Sequence, residues 1–243
     1  VNGAFTIVEL VVTIGVVMLI LGMLLPALAR ARGSAEYIRS LSNVRQLGQV
    51  IDLYTDHARG LYPATQDGRL YPTTGPPPGN PQASLGYWQV YETWSGVVFD
   101  ILPYHEAVEV YVSPASLRFE ESGLFPPWPS SYHYSLSFAG QPQLWREGAA
   151  ADLSLRRSVQ QHQVRFPSSK VLLWDAELAW EREVRHDPDT GDLITRSPTA
   201  FADGSASGRV HTEASDPVAN PFAQGLHLRR LHNTAEGVHG RDY

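Results

Sequence analysis

Residues 1–32 read VNGAFTIVELVVTIGVVMLILGMLLPALARAR. From Leu10 to Ala29 run twenty residues with no charge and only Thr13 as a polar side chain. As a helix they extend about 30 Å, one hydrocarbon thickness, which is enough for a single span. A secretory signal has a shorter apolar region and ends in a small-residue cleavage site. Here the run continues into Leu28-Ala29-Arg30-Ala31-Arg32 with neither such a site nor a turn. Pro26 lies inside it, and membrane helices accept proline where neighbours re-satisfy the freed carbonyl. A kink is expected there, not an end.

Beyond Arg32 the pattern changes. Ala35, Ile38, Leu41, Val44, Leu47, Ile51 and Tyr54 recur every three or four positions, with Arg39, Arg45, Gln46, Gln49 and Asp52 between them. That is the spacing of an amphipathic helix, continuing to about Asp56, with Gly60 and Pro63 as stop signals. The expectation is one helix of roughly 50 residues whose apolar first half lies in lipid or protein and whose second half packs on a soluble domain.

One carboxylate, Glu9, sits near the start of the apolar run. A charge at a bilayer centre costs about 2.5–3.5 kcal/mol on insertion scales. Glu9 therefore needs either a shallow position at the helix N-terminus, where the dipole favours negative charge, or a partner cation.

The other residues are of a different kind. The chain has 243 residues and a formal net charge of −6, so there is no basic excess and nucleic acid is not an expected partner. It has no cysteine, which excludes disulfides, CxxC chemistry and thiolate metal sites. All of its 18 prolines except Pro26 lie beyond the hydrophobic segment. Runs such as PTTGPPPGNPQ (72–82) suit irregular, strand-rich structure. Strands are expected over Gly86–Tyr91, Ala107–Val112, Tyr132–Phe138, Val171–Asp175, Trp180–Arg185, Leu193–Arg196 and Thr199–Ala202, several of them antiparallel. The clearest hairpin runs from Glu183 to Ile194, with Pro188 and Gly191 in its turn.

That turn holds the sharpest metal candidate, since Asp187, Asp189 and Asp192 could offer oxygens to Ca²⁺. Its Gly falls at the fifth loop position and no distal Glu completes an EF-hand, so a solvated turn is the better expectation. His227, His232 and His239 cluster near residue 243 without zinc-ligand spacing, among Gly, Asn and Arg that suggest a flexible end. No G-x-S-x-G, P-loop or G-x-G-x-x-G is present, and Glu120 and Glu121 read as surface charges. Tyr87, Trp88, Tyr91 and Trp94 could form a glycan-binding face, although such residues are more often core and strand-pair material.

The stretch Ala4-Phe5-Thr6-Ile7-Val8-Glu9-Leu10 with its following apolar run resembles the N-terminal processing motif of type IV pilins and type II secretion pseudopilins. The resemblance implies that a prepilin peptidase cuts between Ala4 and Phe5, where the family more often has Gly before the cut. Phe5 is then N-methylated and Glu9 becomes the fifth mature residue. In that family the Glu at this place neutralises the N-terminal amine of an adjacent subunit as helices pack into a filament. Further stretches, Leu24 to Arg32, Leu41 to Gly48, Gly60-Leu61-Tyr62-Pro63, Ser131 to Ser135, Pro167 to Asp175 and Ala200 to Gly204, resemble the large pilin-like group of planctomycete-type bacteria. That group often has Cys where this chain has Ser40 and Ser113. It also often has His ten residues before the Asp-Gly, where this chain has Leu193.

The expectation is therefore an α+β, pilin-like fold with a long N-terminal helix packed on an antiparallel sheet domain. Residues 1–4 would be a leader remnant, 5–31 a transmembrane or filament-core helix, 32–58 its amphipathic continuation and 59–243 a globular periplasmic or extracellular domain. The resemblance implies a structural, non-catalytic subunit without cofactor, inserted in the bacterial inner membrane with its N-terminus cytoplasmic. Arg30 and Arg32 follow the span, against the positive-inside rule, and the resemblance decides the orientation. Its partners would be copies of itself or other pilins, the prepilin peptidase and the inner-membrane assembly platform. The alternatives are an anchored or tip-located subunit holding a glycan or secreted substrate, and, more weakly, an anchored hydrolase using a His or Asp.

Overall fold

The computed structural model describes residues 6–64, 88, 90–116, 130–222 and 229–243. Helix α1 spans Ile7–His57, 51 residues and about 76 Å at the usual rise, and runs through Pro26 without a break. Its end is a Schellman turn: the Gly60 amide donates to Thr55 O at 2.7 Å, and Arg59 takes the left-handed conformation (φ 58°). Gly60 follows at φ +82°, a backbone that favours glycine.

The two halves of α1 have opposite surroundings. Residues 7–28 are exposed throughout; Ile7 is 81% exposed and Leu28 66%. From Ser40 the helix beds on the domain through Ser40, Asn43, Val44, Leu47, Gly48, Ile51 and Thr55, all buried. Their spacing of three and four is helical, as the sequence suggests, but Ala35 and Ile38 are exposed. They precede the point where the helix meets the sheet. The seam also includes polar residues, because each finds a partner: Asn43 donates to Glu109 O at 2.8 Å and Thr55 to Asp52 O at 2.7 Å.

The domain is built on a four-stranded antiparallel sheet in the order β1 (Tyr132–Tyr134), β2 (Val171–Asp175), β3 (Ser197–Phe201), β4 (Ala206–Arg209). Helix α1 packs across it, with Gly48 against the Ala200 methyl. In β4, Gly208 leaves room for Tyr37 and Arg196, whose atoms occupy the place a Cβ would take. Two short helices, α2 (Val90–Thr93) and α3 (Tyr104–Tyr111), complete the main core around the fully buried Trp94, Tyr111, Tyr132 and Tyr134. A second core on the opposite side gathers Val171, Trp174, Leu178, Leu193, Phe201 and Leu231.

Several strand expectations need correction. Ala107–Val112 lies in α3, which kinks at Ala107, and the residue after it; Tyr104, Ala107, Val110, Tyr111 and Val112 pack on the core from this helical turn, and the β-branched valines do not make it a strand. Val90 and Tyr91 belong to α2, while residues 86, 87 and 89 lie outside the described residues. Trp180–Arg185 is no strand, because Asp175 Oδ1 accepts the Glu177 and Leu178 amides and turns the chain at Leu178 (φ 48°). Tyr132–Phe138 is a strand only to Tyr134 and then coils into a 3₁₀ turn. Leu193–Arg196 holds a single bridge, Leu193 to His186, across the expected hairpin. Val171–Asp175 is a strand at its expected bounds, and Thr199–Ala202 overlaps β3. The flexible end also needs correction: His232, Asn233, Thr234, Val238 and Asp242 are all buried.

Candidate functional site

Ala4 and Phe5 lie outside the described residues. Glu9 is described, and its carboxylate closes a capping box with the helix N-cap. Glu9 Oε2 accepts from the Thr6 amide at 2.9 Å and the Thr6 hydroxyl at 2.7 Å, while the Glu9 amide donates back to Thr6 Oγ1 at 3.2 Å. The signal for this was the Thr-x-x-Glu spacing itself. After it come the exposed apolar residues of α1, the one helix among the described residues long and apolar enough to cross a membrane.

Fully burying one such side chain is worth about 1.5–3 kcal/mol. Ile7, Val8, Leu10, Val11 and their successors to Leu28 are therefore a surface that water does not stabilise, and a bilayer or neighbouring helices would. The upper half of α1 is in this sense half of an interface.

The lower half is held by a buried polar hub. Ser40 Oγ (α1) and Ser113 Oγ (after α3) both donate to Asp175 Oδ2, at 2.6 and 2.9 Å, and Tyr132 OH lies 3.2 Å from Ser40 Oγ. Burial pushes the Asp175 carboxyl up to about 6, against the pull of its hydrogen bonds. Ser40 and Ser113, far apart in sequence, thus meet on one carboxylate oxygen.

A second buried network ties Asp242 to β2. Lys170 Nζ lies 3.2 Å from Asp242 Oδ2 with both side chains inaccessible, and it also donates to Ser137 Oγ at 3.0 Å. The Val171 amide donates to Asp242 Oδ2 at 2.7 Å, and Thr234 donates to Oδ1. Burial lowers the Lys170 ammonium's pKa, opposed by the Asp242 charge.

A pocket of about 50 Å³ opens on the sheet face away from α1. Its wall is Trp174 of β2, with His133 paired to it across β1. The rings of His232, His211 and His133 sit 4.7, 5.6 and 5.9 Å from Trp174, centroid to centroid. Among the described residues neither ring nitrogen of His232 has a hydrogen-bond partner, and His211 Nε2 has none. Burial, then repulsion from His133, Arg229 and His186, pushes His211 down to about 3. Burial likewise holds His232 well below its ordinary value. Leu193 lines the same pocket.

The three aspartates of the calcium candidate do not converge. Asp187 Oδ1 accepts the Asp189 and Thr190 amides at 3.0 and 2.9 Å within its own turn. Asp192 faces the other way, accepting the Arg230 amide at 3.2 Å with Arg230 Nε 3.7 Å from Oδ2. Asp189 is exposed. Among the described residues no three His, Asp or Glu side chains are arranged to hold a metal ion.

The aromatic face is also rearranged. Trp94 is buried with its Nε1 donating to Tyr132 O at 2.8 Å, and Trp88 packs against Trp145 and Phe222. Tyr91 lies edge-on to His133 and His232. These residues build core, while Tyr87, Glu120, Glu121 and His227 lie outside the described residues. His239 closes a 3₁₀ turn, away from the pocket's lining.

No protein-family model, no curated protein and no solved structure matches the chain. Its architecture, a long apolar N-terminal helix whose second half packs on an antiparallel sheet, is pilin-like.

Proposed function

We propose that the chain is a structural subunit of a type IV pilus-like filament or type II secretion pseudopilus, cut by a prepilin peptidase between Ala4 and Phe5. In this reading it is held in the inner membrane by α1 and then packed through α1 into a helical assembly with its sheet domain outside. The observation that carries the reading is the division of α1. One half is seated on the domain, and the other is apolar all round with one carboxylate near its start.

The physical logic is conditional stabilisation. In a low-dielectric helix bundle, Glu9 facing a neighbour's N-terminal amine forms a compensated pair, whereas either group alone is an uncompensated buried charge. In the single chain, Thr6 occupies the carboxylate. Assembly would exchange that cap for an intersubunit pair, which favours correct register over random packing. The role is structural, and the partners are copies of the chain or other pilins, the peptidase and the assembly platform.

Two measurements test it. The mature N-terminal peptide should have the mass of one beginning with N-methyl-Phe5, and Glu9→Ala should abolish incorporation into fibres while leaving the precursor in the membrane. An uncut chain, or normal fibres from Glu9→Ala, would sink the reading.

A further inference from the structure

The pocket beside Trp174 is separate from the assembly surface and carries chemistry that packing does not explain. Buried polar groups in folded proteins almost always have partners, and leaving one without is costly. Here both ring nitrogens of His232 and Nε2 of His211 are buried without one among the described residues, in a pocket large enough to admit a small group.

The charge around it has a sign. Asp192 also lines the pocket: its Oδ1 accepts the Arg230 amide, while among the described residues its buried Oδ2 accepts no hydrogen bond and lies 3.7 Å from Nε of Arg230, which also holds the exposed Asp216 at 2.6 Å. Arg229 lines the same pocket beside Gly191, and among the described residues no carboxylate pairs with its guanidinium. Two guanidinium groups, Arg229 and Arg230, thus stand against one buried carboxylate, a positive balance, and each neutral imidazole beside them offers one N–H donor.

We propose that this pocket binds a small oxyanion, a carboxylate or phosphate group of a ligand, with Arg229 as the charge partner and His211 and His232 as hydrogen-bond donors. A planar guanidinium presents paired N–H groups that match such an oxyanion. A metal cation fits worse, because Arg229 repels it and among the described residues no three His, Asp or Glu side chains are arranged to hold one. The bound group would sit against the indole of Trp174 and be shielded by Leu193 and Leu231.

The test uses the full chain in detergent micelles, titrated calorimetrically at neutral pH with inorganic phosphate and, separately, with acetate. At least one should bind saturably, and Arg229→Gln should weaken that binding roughly tenfold or more, with Arg182→Gln unchanged as a control. Phosphate binding alone assigns a phosphate group and acetate binding alone a carboxylate. In the unsubstituted chain, the ring-nitrogen resonances of His211 and His232 should move with the same saturation curve. No saturable binding of either anion, equal affinity in Arg229→Gln, or binding of Zn²⁺ but neither anion overturns the proposal. Failure here leaves the filament reading intact, and failure of Glu9→Ala to block fibres leaves this pocket intact.

Discussion

Ser40 Oγ donates to Asp175 Oδ2 at 2.6 Å, joining the long helix to the last residue of β2. The same oxygen accepts Ser113 Oγ, and the other carboxylate oxygen accepts the amides of Glu177 and Leu178. Three chain segments therefore depend on one buried side chain. Asp175→Ala strands several donors and should destabilise the chain by about 4 kcal/mol in denaturant unfolding, and Ser40→Ala by about 1–3 kcal/mol. Equal stability of the two variants would show that the hub is not shared.

Asp52, on α1, faces Asp56 and Asp203, and burial together with their repulsion raises its carboxyl to about 6. A raised acid favours the folded state in its protonated form. The penalty is thus absent below the ordinary aspartate value and complete above about pH 6. Asp52→Asn should raise stability by about 1 kcal/mol at neutral pH, after allowance for solvent screening, and the gain should vanish in acid. A thermal-unfolding series over pH checks the sign.

His211 and His232 have the opposite linkage. Held neutral in the fold, they take up protons on unfolding, so each contributes stability that is complete above its unfolded value near 6.5 and declines as pH falls. Each should steepen the acid limb by about 1.4 kcal/mol per pH unit. His232→Leu should flatten that limb and make the chain relatively more stable at mildly acidic pH than at neutral pH. An unchanged slope would mean that His232 is protonated in the folded chain.

Lys170 and Asp242 form an inaccessible pair. Lys170→Met leaves an uncompensated buried carboxylate and should cost about 3–5 kcal/mol. Adding Asp242→Leu should recover most of that loss, because the desolvation penalty disappears with the charge. If the double variant is as unstable as the single one, the pair's worth lies in the hydrogen bonds to Val171 and Thr234 and not in its charge.

The long helix was legible because a span of twenty uncharged residues and a run at three-and-four spacing each have one good structural solution. Val44, Leu47 and Ile51 are buried where that spacing puts them. What the spacing does not contain is the polar part of the seam, since Ser40, Asn43 and Thr55 are buried only because distant residues meet them. Strand β4, Ala206-Ser207-Gly208-Arg209, has no β-branched or aromatic residue and gains its place from pairing with β3 and from Tyr37 of α1 against Gly208. The pocket was hidden for the same reason. His133, His211 and His232 are far apart in sequence and converge only when β1, β2 and the segment after Arg229 are in place. Composition near residue 243 suggested a flexible tail, whereas Trp145 and Lys170 supply the contacts that order it.

The division of α1 has a mechanical corollary. Tension applied to the apolar half travels along continuous helix and first enters the domain around Tyr37 to Asn43, through the Tyr37 seat on Gly208, the Ser40–Asp175 bond and the Asn43–Glu109 bond. These anchors sit on β4, β2 and α3, so the pull is divided among three elements before any one of them is peeled from the sheet. Pulled along α1, the chain would yield first at that band of helix, and the buried Asp175 would set how much strain the junction withstands.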